Sequence, residues 1–361
     1  MNQCKYLVFL FSIWISSLCF ADRQWVVKEE FISPAIEHFD CHSSNIIETF
    51  PGSFCAVWKG GFTEGHCNVD SKDNIGIWAS LFQNGAWTEA KEIVSSPNTV
   101  CWSPVLCKLP SNELLLFYRM GPNPRSLMSF IKRSYDGGST WSQEELLPAG
   151  IIGPTKTKPL VIGNTLLCPS SSEAGEPDAQ HKATACWIEI YDNTARTWKK
   201  IGPIQIPDRS FGAIEPTLYM TCSNQIKMFC RDRAYKIGQT GYVWTASSDD
   251  FGNSWSTLFP TSLPNPDSGV DIVNLGSGKA ALFYNHSHTE RFPLCFAVSF
   301  DDCTSWSLPF TVEEISGEFP SVVLDSEGMV HVSYAFCSPG ETQRRIKHAV
   351  IDPKYVKITS Q

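Results

Sequence analysis

Two acidic residues and one histidine stand where their side chains could act as catalytic acids or bases. Glu64 lies near the end of a glycine-bounded segment, Gly60-Gly-Phe-Thr-Glu-Gly65, and a loop of this kind after a strand suits a carboxylic acid that protonates a leaving oxygen. His42, next to Cys41 at a predicted strand start, is a second candidate, because an imidazole can donate, accept or bind a carboxylate when protonated. Glu215, which precedes Pro216, is the third. We predict Glu64, Glu215 and His42 as catalytic residues, with solvated or structural roles as the alternative.

A second set of side chains carries positive charge. Guanidinium groups bind carboxylates through paired hydrogen bonds, so Arg233 and Arg291 are candidates for holding an anionic ligand. Ion pairs with the neighbouring Asp232 and Glu290 are the structural alternative.

Further charge surrounds a short basic segment. Lys156 and Lys158 form a Lys-Thr-Lys sequence flanked by prolines, which is unusual for a simple turn. Asp73 and Asp271 open or precede strands of the inner type. The predicted substrate-binding residues are therefore Arg233, Arg291, Arg125, Lys158 and Asp73.

A recurring turn motif indicates which fold must position these residues. The pattern S-x-D-x-G-x-T-W covers 134–141, returns at 248–255 with Ser for Thr, and returns again at 299–306 with Cys for Gly. Weaker copies end at Trp198 and Trp87. The closing tryptophans at 87, 141, 198, 255 and 306 are 54, 57, 57 and 51 residues apart. A period near 50 residues indicates a repeat architecture.

Each copy predicts a structural hairpin turn. The Asp side chain accepts from nearby backbone N–H groups, Gly supplies a positive φ, and Trp packs between repeats. Short β runs dominate elsewhere, separated by Gly, Pro, Asn and Asp turns. The sequence thus predicts an all-β fold, a six-bladed β-propeller with Asp-box turns. Pairing of the Trp25–Phe31 region with Ile346–Ile351 would close its sixth blade.

Composition narrows the class of protein. The chain has 361 residues, 18% charged and 42% hydrophobic, with a net charge of −8 and no Lys/Arg cluster, which argues against nucleic acid as a partner. Repeats stacked in one ring favour a single domain over residues 22–361. No metal-ligand cluster or nucleotide-binding loop is evident, so we expect no metal and no obligatory cofactor.

The N-terminal sequence predicts export. Lys5 precedes the apolar stretch 7–20, and Ala21 suits a cleavage site, so residues 1–21 are predicted to be a signal peptide and the protein secreted or otherwise extracytoplasmic. The stretch is short for a membrane span, although an uncleaved anchor is the alternative. We expect no stable membrane span after its removal. The sequence leaves the oligomeric state open.

Fourteen cysteines are a high count for this length. Without Cys4 and Cys19 twelve remain, and an even number in an exported chain fits disulfides. Buried thiols on strands are the alternative.

The boxes and the segments between them resemble the sialidase (neuraminidase) superfamily, and within it the BNR-repeat sialidase-like branch. The resemblance covers about residues 35–352. The segments that carry it are Trp58-Lys-Gly-Gly61, 73–78, 117–125, Gly153-Pro-Thr-Lys-Thr-Lys-Pro159, Glu215-Pro-Thr-Leu218, Cys230-Arg-Asp-Arg233, 263–269 and His331-Val-Ser-Tyr334.

The resemblance implies a role for each candidate. Sialidases hold the sugar carboxylate with three arginines, protonate the leaving group with a carboxylic acid, and attack with a Tyr that a Glu activates, an exception to the two-carboxylate scheme. Glu64 corresponds to the acid and Glu215 to the activating Glu. Arg233 corresponds to the second arginine, with Arg231 as the competing register, and Arg291 corresponds to the third.

Two expected parts differ in this chain. His42 stands where the first arginine belongs, and Phe319, with Glu318 beside it, stands where the Tyr belongs. A phenyl ring cannot attack, so the resemblance implies direct attack by water and inversion at the anomeric carbon.

The sequence therefore predicts a sialidase-like exo-glycoside hydrolase that removes a terminal acidic sugar from glycans by a non-standard mechanism. Two alternatives stay open. One is a uronic-acid lyase or deoxysugar hydrolase on the same scaffold, and the other is a catalytically inactive glycan-binding propeller.

Overall fold

The structure is a computed structural model that describes residues 23–33, 35, 39–62, 75–95, 99–123, 126–174, 183–207, 212–233 and 238–356. Glu64, Asp73, Arg125 and the predicted signal peptide lie outside the described residues.

Six antiparallel sheets are arranged as the blades of a β-propeller, which confirms the predicted fold class. Blade one contains β2 (Phe39–Phe50), β3 (Ser53–Phe62), β4 (Gly76–Gln83), β5 (Ala86–Trp87) and β6 (Lys91–Val94). Blade two contains β7 (Val100–Lys108), β8 (Leu114–Asn123), β9 (Ser126–Ser134) and β10 (Glu145–Leu146). Blade three contains β11 (Leu160–Ile162), β12 (Thr165–Ala174), β13 (Ala183–Asp192) and β14 (Thr197–Ile204).

The remaining blades follow the same order from the innermost to the outermost strand. Blade four contains β15 (Ala213–Met220), β16 (Ile226–Asp232), β17 (Tyr242–Ser248) and β18 (Phe259–Pro264). Blade five contains β19 (Asp271–Gly276), β20 (Lys279–Asn285), β21 (Leu294–Ser299) and β22 (Phe310–Glu313). Blade six contains β23 (Glu318–Leu324), β24 (Val330–Phe336), β25 (Arg345–Ile351) and, as its outer strand, β1 (Val26–Phe31).

The ring is closed by the first and last strands of the described chain. β1 pairs antiparallel with β25, from Val26 opposite Ile351 to Phe31 opposite Lys347, as predicted from the sequence. Because β1 supplies the fourth strand of a blade whose other strands lie more than 280 residues later, the two ends of the chain hold the ring together.

The Asp-box turns join the third and fourth strands of their blades. In the box of blade two, Asp136 Oδ1 accepts from Ser134 Oγ at 2.8 Å and from the Thr140 N–H at 2.9 Å, while Oδ2 accepts from Thr140 Oγ1 at 2.6 Å. The box at Asp250 has the same bonds, and so does the box at Asp301. These contacts confirm the turn chemistry predicted for the motif.

A distorted position recurs on the innermost strands and shapes the central end of the propeller. Ser43, Ser103, Glu215 and Phe319 all have positive φ, of 51°, 33°, 50° and 56°. Each falls at a register shift between its innermost strand and the next strand. Such β-bulges re-aim side chains, and the left-handed conformation of non-glycine residues costs about 1 kcal/mol or more. Four blades therefore present a strained residue at the same place.

Apolar clusters fill the spaces between neighbouring blades, and many cysteines lie in them. The disulfide expectation is wrong for nine cysteines, which remain thiols, and the alternative of buried thiols is correct for eight of them. The nine are Cys41, Cys55, Cys107, Cys168, Cys186, Cys230, Cys295 and Cys303, all buried, and the exposed Cys222. The physical reason is that a buried cysteine behaves as a small apolar side chain between sheets.

Helical structure is minimal in the described part of the chain, where a 3₁₀ turn covers Pro353–Tyr355. Within the residues described, no helix has the length and apolar character needed to span a membrane.

Candidate functional site

The candidate site is a cluster of arginines and carboxylates at the ends of β15, β16 and β23. On blade four, Arg231 Nη1 donates to Glu215 Oε2 at 2.8 Å, and Arg231 Nε donates to Asp267 Oδ1 at 2.8 Å. The bulge at Glu215 turns its side chain toward Arg231, which lies on the adjacent strand. One buried guanidinium therefore holds two carboxylates in place.

A second pair of arginines holds Glu318. Arg291 Nη1 donates to Glu318 Oε2 at 2.7 Å, and Arg344 Nη1 donates to Glu318 Oε1 at 3.2 Å. Arg344 is itself fixed by the fully buried Asp40, which accepts from Arg344 Nη2 at 2.9 Å and from its backbone N–H at 2.7 Å. Arg291 also donates to the Asp267 carbonyl at 2.8 Å, which joins the two halves of the cluster.

Phe319 lies between the two halves. Its ring centroid is 5.1 Å from the Arg231 guanidinium carbon and 5.4 Å from that of Arg291, within the range of cation–π attraction. The His42 ring packs edge-on against it, with centroids 4.5 Å apart. Gly269 permits this packing, because a Cβ there would lie 3.1 Å from the Phe319 ring and 2.6 Å from Lys156 Cε.

His42 joins the same cluster from blade one. Its Nε2 is 3.5 Å from Glu318 Oε1, and its Nδ1 is 2.7 Å from Ser43 Oγ. Burial lowers the pKa of His42 below its ordinary value, and the charge of Arg344 acts in the same direction, against the contact with Glu318. The imidazole is therefore neutral near pH 7.

The two site glutamates are ionised. Burial would raise the pKa of Glu215, but the charge and hydrogen bond of Arg231 outweigh it and lower that pKa. Burial would likewise raise the pKa of Glu318, yet the contacts with His42, Arg291 and Arg344 hold it well below its ordinary value. Both carboxylates can therefore accept a proton or a hydrogen bond at neutral pH.

The two lysines of the Lys-Thr-Lys segment donate hydrogen bonds to residues of other blades or next to them. Lys156 Nζ donates to the Val270 carbonyl at 3.0 Å, and burial lowers its pKa to about 8. Lys158 Nζ donates to Ser321 Oγ at 2.8 Å and to the Val322 carbonyl at 2.9 Å, and it lies 3.6 Å from Asp271. These ammonium groups are oriented toward protein atoms of blades five and six.

A cavity of about 500 Å³ opens beside the cluster. Arg291 and Glu318 border it, and its other walls are Pro266, Asp267, Thr289, Glu290, Phe292 and Ser316. The Arg291 side chain is 35% exposed, so part of one site guanidinium faces this space.

The structure brings together His42, Glu215 and Arg291 from the sequence-predicted set. Arg233 is nearby, with Nε 3.6 Å from Asp267 Oδ1, but Arg231 is the residue that contacts Glu215, which favours the competing register. The Lys158 ammonium group donates to Ser321 and Val322 of blade six and does not contact His42, Glu215 or Arg291.

Sequence reasoning missed Arg344, Asp40 and Asp267 as members of the cluster. Asp267 lies in the 263–269 segment that carried the family resemblance, which was a usable signal. Arg344 and Asp40 offered none, because they are 304 residues apart in the chain. In the described residues no group of three or more His, Cys, Asp or Glu side chains is arranged to hold a metal ion.

The chain is similar to known proteins in both sequence pattern and fold. The sequence pattern of the BNR repeat-like domain family matches residues 52–332. No curated protein has a sequence that matches the chain.

Several solved structures share its fold. A protein of unknown function from Dyadobacter fermentans superposes with a TM-score of 0.73 at 16% identity, covering 91% of this chain and 98% of that one. A variant of the NanB sialidase from Streptococcus pneumoniae gives 0.69 at 14% identity, covering 87% and 68%. The intramolecular trans-sialidase from Ruminococcus gnavus, in complex with oseltamivir carboxylate, gives 0.67 at 12% identity, covering 93% and 98%. At these identities the likeness concerns the fold alone.

Proposed function

This chain belongs to the BNR repeat-like domain family within the sialidase-like superfamily, and we propose that it is an exo-acting glycoside hydrolase that removes a terminal acidic sugar from glycans outside the cytoplasm. The observation that carries the proposal is the convergence of Arg231, Arg291 and Arg344 on the carboxylates around Phe319. A convergent group of guanidiniums beside a cavity is suited to a sugar carboxylate.

Binding begins at Arg291, whose exposed portion borders the cavity. A carboxylate of the sugar pairs with this guanidinium, while Arg231 and Arg344 hold the neighbouring carboxylates in place. The charges of the three arginines are balanced by Glu215, Asp267, Glu318 and Asp40, so the affinity comes from the geometry of the exposed guanidinium and not from net charge.

Bond cleavage requires an acid and a nucleophile. Glu64, the acid predicted from the sequence, protonates the leaving oxygen. Phe319 offers no nucleophilic atom, so water attacks the anomeric carbon, and the ionised Glu215 takes the proton that water loses. His42, held against Phe319 and Glu318, orients the sugar. One displacement of this kind inverts the anomeric configuration.

The test is release of free sugar from mixed natural glycans that carry sialic acids and uronic acids, detected by mass spectrometry with the purified mature protein. We expect release by the wild type and a fall of about 100-fold or more in Glu215→Gln and Glu64→Gln. Glu327→Gln, at an exposed turn, is the matched control and retains the wild-type rate. Proton NMR of the first product shows the inverted anomer.

Other outcomes would replace the proposal. An unsaturated product that absorbs in the ultraviolet would indicate a lyase. Glycan binding without any release of sugar, equal in wild type and Glu215→Gln, would indicate a glycan-binding propeller. The ion pairs that Arg231, Arg291 and Arg344 already make with site carboxylates are compatible with that function.

A further inference from the structure

Three side chains at the central end of blades one and six are aligned as a nucleophile, a base and an orienting carboxylate. Ser43 Oγ is 2.7 Å from His42 Nδ1, and His42 Nε2 is 3.5 Å from Glu318 Oε1. A hydroxyl within hydrogen-bond reach of an imidazole, which a carboxylate orients on its other side, is the arrangement that activates serine in acyl transfer. The proposed glycoside hydrolysis makes no use of Ser43.

The protonation state of the three groups suits this role. Glu318 is ionised and lies 3.5 Å from Nε2, which favours the tautomer of the neutral imidazole that carries its proton on Nε2. Nδ1 then carries the lone pair that faces the serine hydroxyl. Burial lowers the pKa of His42, which keeps it unprotonated and able to take the serine proton at neutral pH.

Ser43 also occupies a strained position. Its φ is 51°, at the bulge of β2 where the pairing register with β3 shifts, and its side chain is only partly buried. Strained non-glycine residues concentrate at functional sites. Ser103 has the equivalent position on β7, with φ of 33°, but Trp102 precedes it where His42 precedes Ser43. Of these two bulge serines, Ser43 has a base beside it and Ser103 does not.

Two cations lie near His42. Lys59 is paired with His42 across β2 and β3, and Arg344 contacts Glu318. Burial is the main cause of the lowered pKa of His42, and both cations act in the same direction. Positive charge close to an acyl-transfer centre favours the negative charge that develops on the carbonyl oxygen.

We propose that Ser43, His42 and Glu318 form a serine esterase centre that removes short acyl groups from sugar hydroxyls. Ser43 Oγ attacks the acyl carbonyl carbon and its proton passes to His42 Nδ1. The C–O bond to the sugar then breaks, and the sugar oxygen takes that proton from His42. Water attacks the acyl-serine, gives its proton to His42, and releases a carboxylic acid while Ser43 regains its hydrogen. One ester and one water become one alcohol and one acid.

The choice of a sugar ester rests on the proposed glycan site, whereas the ester cleavage itself does not. The cavity beside Glu318 has Thr289 and Ser316 in its walls, which suits a polyhydroxylated substrate. A short acyl group is specified because Ser43 is partly buried and the adjacent His42 packs against Phe319.

The experiment uses the mature protein with p-nitrophenyl acetate, an O-acetylated monosaccharide and a fluorophosphonate label. We expect turnover of both esters and one labelled peptide containing Ser43, identified by mass spectrometry. Ser43→Ala loses about 100-fold or more of the rate and all labelling. Glu318→Gln lowers the rate and shifts its pH profile, because His42 loses its ionised partner.

Ser103→Ala is the matched control, since it changes the equivalent bulge serine that lacks a base, and it keeps wild-type turnover. Thermal unfolding checks that each variant folds. Labelling elsewhere than Ser43, or unchanged turnover in Ser43→Ala, would overturn the esterase centre. Glycan release measured on the same wild-type preparation separates the two ideas: release without Ser43-dependent esterase activity removes only this inference, and the reverse removes only the proposed glycoside hydrolysis.

Discussion

Arg231 donates a 2.8 Å hydrogen bond to the Glu215 carboxylate, and the two residues come from neighbouring strands of one blade. The same guanidinium reaches Asp267, whose side chain is 1% exposed. Arg231 therefore contacts both carboxylates at hydrogen-bonding distance.

Replacement of Arg231 by Gln is expected to destabilise the protein strongly. Two carboxylates would lose a hydrogen-bonded guanidinium that is itself buried, which costs about 3–5 kcal/mol of unfolding free energy. Denaturant unfolding measures the change. Arg196→Gln is the control, because Arg196 is 62% exposed and its ion pair with Glu145 contributes about 0–1 kcal/mol. Similar small losses in both variants would contradict the structural role of Arg231.

Asp136→Ala is expected to weaken the fold without changing any activity. The substitution removes the acceptor of the bonds from Ser134 and Thr140 that hold the Asp-box turn of blade two. The loss should be about 1–3 kcal/mol. Tyr135→Ala changes the adjacent side chain, which is 72% exposed, and should stay within about 0.5 kcal/mol of wild type. A catalytic defect in Asp136→Ala that exceeds its loss of folded protein would contradict a purely structural box.

Thiol labelling is expected to distinguish the exposed cysteine from the buried ones. In the native protein Cys222 reacts, while Cys41, Cys55 and Cys107 do not, because burial raises the pKa of each of these thiols to about 12. Denaturant without reductant should expose the buried thiols. Cys222→Ser removes the native reaction at this position. If denatured, unreduced protein showed no additional thiols, the cysteines would be disulfide-bonded after all.

Acidification is expected to destabilise the closure of the ring. His331 Nε2 lies 3.0 Å from Asp325, and His331 Nδ1 lies 3.0 Å from His348 Nε2, whose Nδ1 lies 3.1 Å from Glu30 on β1. Burial, followed by the charge of His348, lowers the pKa of His331 to about 4 from 6.5, against the opposing effects of Asp325 and Glu48. Burial also lowers the pKa of His348.

The direction follows from proton linkage. Below pH 6.5 the unfolded chain binds protons that the folded His331 does not, so stability is complete above pH 6.5 and falls as pH decreases toward 4. A shift of this size corresponds to about 3 kcal/mol over that window. His331→Gln should flatten the dependence of unfolding free energy between pH 6.5 and 4, whereas His288→Gln, at an exposed position, should not. If His331→Gln left the pH dependence of the unfolding free energy unchanged, His331 would not be the cause of the acid destabilisation.

Local chemistry explains how much of the fold was readable from the sequence. The Asp-box bonds involve residues two to four positions apart, so the motif appears in the chain as a fixed spacing. Its repetition gave the blade count once the pairing of β1 with β25 was included. The fate of the cysteines was not readable in this way, since burial between blades depends on which strands become neighbours.

The sequence by itself determined a sialidase-like propeller and three members of its central cluster, His42, Glu215 and Arg291, because each lies in a local pattern of residues. Only the tertiary structure selected Arg231 as the partner of Glu215 and added Arg344. Arg344 and Asp40 are 304 positions apart, and His42 meets Glu318 from another blade. Ring closure creates these contacts, and no spacing along the chain encodes them.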